Sequence, residues 1–116
     1  MNTKAKIKET ELKIGAAIKG DAPENQAVQN AFRRLKEYYS MTDYLKETKH
    51  SSIIEAIYLD LSWELKGAIS LALNEHTGER TLYRYRAEYL KCFCRYYETE
   101  TGQKLDGDYA KLLSLI

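Results

Sequence analysis

Proline occurs once in 116 residues, at Pro23. Proline is the residue that most strongly interrupts helices. A chain that almost lacks it, and is rich in Ala, Leu, Glu and Lys, is free to run as long helices. No long stretch alternates polar and apolar residues in the manner of a strand. The expected fold class is therefore all-α, in one domain or one domain with an extension.

Charge and cysteine content narrow the setting. Hydrophobic residues are 44% of the chain and charged residues 30%, an ordinary balance for a folded domain. No apolar run reaches the ~20 residues that span a bilayer, so no membrane is expected as partner. Charges run throughout the first fifteen residues, which argues against a signal peptide and for a cytoplasmic protein. Cys92 and Cys94 stand two apart and so point to nearly opposite sides of a helix. His50 and His76 are distant from them in sequence. No zinc site is expected, and the thiols read as small apolar fillers.

The apolar period sets out the elements. A weakly amphipathic helix is expected over 4–19, with Ile7, Ile14 and Ile18 on one side. Gly20 to Pro23 ends it, and Pro23 suits the first position of the next helix. That helix should run from about 23 to 47, roughly 37 Å at 1.5 Å per residue. Val28, Phe32, Leu35, Tyr39 and Leu45 trace its stripe. A helix so long in so small a chain suggests pairing, within the chain or between two copies. Ser52 with Glu55 forms a capping box for a short helix over 53–60. Ser62 caps a second over 63–73 that Asn74 ends, Glu75 to Gly78 forms a turn, and a long helix follows over 79–98. Gly102 is a stop, and Asp106 or Asp108 caps a last helix containing Tyr109, Leu112, Leu113 and Ile116.

The helix after the turn carries the functional signal. Leu82, Tyr85, Tyr89, Phe93 and Tyr96 fall in one sector, and Arg80, Arg84, Lys91 and Arg95 in the opposite one. Between 79 and 97 five basic residues face two acids, a net +3. The whole chain is only +1, so the remainder sums to −2. Two short helices, a turn and a long cationic helix make the layout of a helix-turn-helix unit, whose last helix enters the DNA major groove. Arginine can grip a guanine edge or a phosphate with two parallel hydrogen bonds. Arg80, Thr81 and Arg84 are the base-reading candidates. Thr77 and the helix start suit a phosphate, Tyr83 lies nearer the basic side, and Lys91 would reach backbone only. The bland alternative is that any exposed helix can show a basic side opposite an apolar one. Trp63 and the tyrosines at 85, 89 and 96 read as core or rim residues, and His76 as a solvated turn residue.

Residues 51–97 resemble the C-terminal half of phage-encoded transcriptional regulators of the RinA and ArpU type, which in turn look like region 4 of sigma factors. The likeness rests on Ile53–Leu61 as lead helix, on Ser62-Trp63 opening the next, and on the run ERTLYRYR from Glu79 to Arg86. It implies a helix-turn-helix within 51–116 and control of phage late or packaging genes, while residues 1–50 lie outside the likeness and read, from the long helix over 23–47, as an N-terminal helical extension that could dimerise. The stretch from Leu73 to Glu79 is one or two residues longer than the usual tight turn. Double-stranded DNA is the implied partner, with a homodimer on two half-sites and a possible contact to RNA polymerase. Two other roles fit the residues. One is a protein-interaction adaptor or inhibitor that exploits the ten tyrosines. The other is a DNA-recognition subunit of a packaging terminase. No phosphate-cradling glycine loop, zinc-helix motif or activated nucleophile is present, so neither an enzyme nor a cofactor is expected.

Overall fold

The computed structural model describes residues 3–59 and 79–116. Among them the fold is all-helical, with five α-helices and no strand. They are α1 (Thr3–Lys19), α2 (Gln26–Lys46), α3 (His50–Tyr58), α4 (Glu79–Thr101) and α5 (Tyr109–Leu115). The expected helix over 63–73 and the turn after it lie outside the described residues. No described helix is long and apolar enough to cross a membrane.

α1 and α2 meet through a proline-led turn. Pro23 opens a 3-10 segment, Pro23–Asn25, instead of the first turn of α2 itself. The last carbonyls of α1 have no partner within their own helix. The Gln29 side-chain amide from α2 supplies one, donating to Ile18 O at 3.3 Å and, just past the helix, to Gly20 O at 2.8 Å.

α2 lies along α4, and the core forms between them. It gathers Ile7 and Ile14 of α1 with Val28, Ala31, Phe32 and Leu35 of α2 and Ile53, Ile54, Ile57 and Tyr58 of α3. Leu82, Tyr89, Leu90, Phe93, Cys94 and Tyr97 of α4 complete it with Leu105 and Leu112. Both the 1–50 and the 51–116 stretches thus contribute to one core. Its α4 side is turned from the expected sector. Arg86, Leu90, Cys94 and Tyr97 are buried, while Tyr85 and Tyr96 are only half-buried. In α2 the buried residues end at Leu35. Leu45, expected on the core stripe, is exposed.

Two helix ends match the sequence signals. Gly102 takes φ +76° just after α4, a left-handed conformation that glycine adopts without cost. Asp108 caps α5 by accepting from Ala110 N at 2.9 Å. The start of α3 does not match. It begins at His50, before the expected Ser52 box, and Glu55 pairs with Lys36 of α2 instead of closing that box. Asp43 of α2 holds the start of α3 from outside, accepting from His50 N at 2.6 Å and Ser51 N at 2.9 Å.

Candidate nucleic-acid interface

α4 presents opposite chemistry on its two sides because of what it packs against. Tyr85 and Tyr89 form an aromatic cluster with Tyr39 of α2 and His50 of α3, and the Arg34 guanidinium of α2 lies 5.1 Å from the Tyr96 ring centroid. The Tyr39 and Tyr89 rings meet edge-on at 5.0 Å, and the Tyr89 hydroxyl lies 2.7 Å from His50 Nδ1. Burial raises the Tyr89 hydroxyl far above its ordinary pKa, so it stays protonated.

The far side of α4 is open. Arg80, Arg84, Lys91 and Arg95 are all exposed, as the helical period requires. Among the described residues none of the four lies within ion-pair distance of a carboxylate. Arg84 rests its guanidinium over the Tyr85 ring at 5.0 Å, which leaves its outer edge available. From Arg80 to Arg95 the row covers roughly 22 Å at 1.5 Å per residue. Glu88 is exposed on the same side. The later acids of α4 are engaged elsewhere. Glu98 accepts from Leu105 N and Asp106 N at 2.8 and 2.7 Å, and Glu100 pairs with Arg34 at 3.4 Å.

Three further candidates differ in setting. Thr81 is half-buried beside the row. Tyr83 is also half-buried, with Lys4 Nζ 4.9 Å from its ring centroid and the Arg86 guanidinium at 4.5 Å. Lys91 lies at the far end, beside Gly107 of the loop before α5. Thr77, Trp63 and His76 lie outside the described residues.

The fifth cation of the helix, Arg86, does not belong to the row. It is buried and donates to Glu11 of α1, through Nε at 3.0 Å and through Nη2. Two parallel bonds of this kind match guanidinium to carboxylate. Burial favours the neutral acid at Glu11 and sets it above its ordinary range, against the pull of Arg86. The pair was readable in one respect. Glu11 lies one turn from Ile7 and Ile14 on the apolar stripe of α1, and Arg86 stands between Leu82 and Tyr89 on that of α4. A charge on an apolar stripe needs a buried partner.

No family model, curated protein or solved structure matches this chain.

Proposed function

We propose that the chain is a sequence-specific DNA-binding regulator, probing the major groove with α4 as the recognition helix of a sigma region 4-like helix-turn-helix. In this reading the resemblance to phage-encoded regulators of the RinA and ArpU type reflects a shared role. The observation that carries it is the row Arg80, Arg84, Lys91 and Arg95. It is solvent-facing and without a carboxylate partner among the described residues. Such a row gains energy by neutralising phosphates and releasing their counterions. Arg80, Thr81 and Arg84 near the start of α4 read bases, and Lys91 and Arg95 follow the backbone. Thr77 and Tyr83 complete the contact, and a terminase subunit would use the same chemistry.

A protein-interaction role is favoured by a different observation, the exposed apolar side chains near the end of α2. Salt separates the two. Binding to labelled duplex DNA, followed by fluorescence anisotropy, should weaken steeply between about 50 and 200 mM salt, and a tyrosine-rich protein interface should not. On a site selected from a random duplex pool, Arg84→Ala should cost ~1–3 kcal/mol, the scale of one bidentate base contact. No binding at about 50 mM salt, or equal affinity for wild type and variant, would overturn the DNA reading.

A further inference from the structure

The exposed positions of α4 begin 80, 84, 88, 91 and 95, one side of the helix taken in steps of three or four residues. Their charges run plus, plus, minus, plus, plus. Glu88 is the exception to the cationic row. Arg84 stands four residues before it and Lys91 three after, the spacings at which helical ion pairs form. Yet among the described residues the Glu88 carboxylate makes neither an ion pair nor a hydrogen bond. Other carboxylates of the fold are occupied: Glu11 holds Arg86, Asp43 starts α3, and Glu98 fastens the loop before α5.

Given the DNA reading of α4 above, on which this rests, we propose that Glu88 is a specificity-determining residue that accepts from the N4 amino group of a cytosine in the major groove. A carboxylate set against phosphates is repelled by them, so Glu88 is misplaced on a helix side that only tracks a strand. It is well placed where this turn of α4 meets base edges. Cytosine presents an amino donor there, whereas guanine presents two acceptors and thymine one. Adenine sets an acceptor beside its donor, which suits an amide better than a carboxylate. Thr81, Arg84 and Glu88 fall within roughly 60° of one another at 100° per residue. Glu88 lies about 6 Å beyond Arg84 at 1.5 Å per residue, roughly two 3.4 Å steps from the guanine that Arg84 reads. Lys91 and Arg95 then pass to the backbone. The same charge discourages binding to wrong sequences, where Glu88 meets no amino group.

The test selects sites from a random duplex pool with the wild-type chain and with Glu88→Gln, and reads affinities by fluorescence anisotropy at one salt concentration. Wild type should select a cytosine about two base pairs from the guanine whose preference Arg84→Ala abolishes. Glu88→Gln should exchange that cytosine for adenine, whose N6 and N7 match an amide. Glu88→Ala should weaken binding to the selected site about 10-fold. It should also tighten binding to a scrambled duplex, where only phosphates are met, so the two affinities move in opposite directions. Glu88 is exposed, so circular dichroism should stay helical. A Glu88→Ala chain that binds both duplexes more tightly would set the carboxylate against phosphate and overturn the proposal. Unchanged affinities, or the same selected base with Glu88→Gln, would overturn it too. Each of those results leaves the DNA reading standing. A wild-type chain that binds no duplex at about 50 mM salt overturns both.

Discussion

Asp43 accepts four hydrogen bonds from residues five to eight positions further along the chain: from Thr48 Oγ1, His50 N, Ser51 N and Ser51 Oγ. Its partial burial alone would raise the pKa, but these donors outweigh that and hold it below the ordinary aspartate range. A folded pKa below the unfolded one means stability that is present above ~3.9 and lost as pH falls through the folded value. Asp43→Ala should therefore cost about 1–2 kcal/mol at neutral pH, the scale of a lost helix cap. At acid pH, once wild type has lost its ionised acceptor, the gap should narrow. Urea titrations at the two pH values measure it, and an unchanged gap would refute the assignment. This cap was hidden in the sequence because the local rule pointed elsewhere. Ser52 and Glu55 have capping-box spacing, whereas the acceptor that starts α3 belongs to the preceding helix. Local patterns reach three or four residues, and this one reaches eight.

At the scale of the element, α2 shows how a correct helix can be read with an imperfect phase. Its extent followed from period and composition, as did those of α1 and α4, and the stop at Gly102 and a cap at Asp106 or Asp108 were legible from residue type. Which apolar side chains face inward was not. Tyrosine fits core, rim or surface, since it joins an apolar ring to a polar tip. With ten of them the stripe has blurred edges. Leu35 and Leu45 separate the two phases. Leu35→Ala should cost ~2–5 kcal/mol by leaving a cavity. Leu45→Ala, at an exposed position, should stay within about 0.5 kcal/mol. Thermal melts of the two variants give the comparison. A large loss at Leu45 would mean that it is covered in solution.

Across the whole molecule, the Glu11–Arg86 pair joins residues 75 positions apart. Leaving one buried charge without the other costs far more than losing an exposed ion pair. Glu11→Ala should lower unfolding stability by roughly 3–5 kcal/mol. Replacing both residues with apolar side chains of similar size should recover most of that loss, as chemical denaturation would show. The row Arg80, Arg84, Lys91 and Arg95 followed from helical spacing and is exposed, but the net +3 counted over 79–97 included Arg86, which is buried, because a charge count cannot tell an outward arginine from an inward one. The pair also bears on how the molecule can be cut. A fragment beginning at residue 51, the boundary suggested by the regulator-like motif, would lose the counter-ion of Arg86 and the core residues that α1 and α2 supply. Affinity lost on trimming would then report a collapsed scaffold, so deletion mapping here has to keep the first helix.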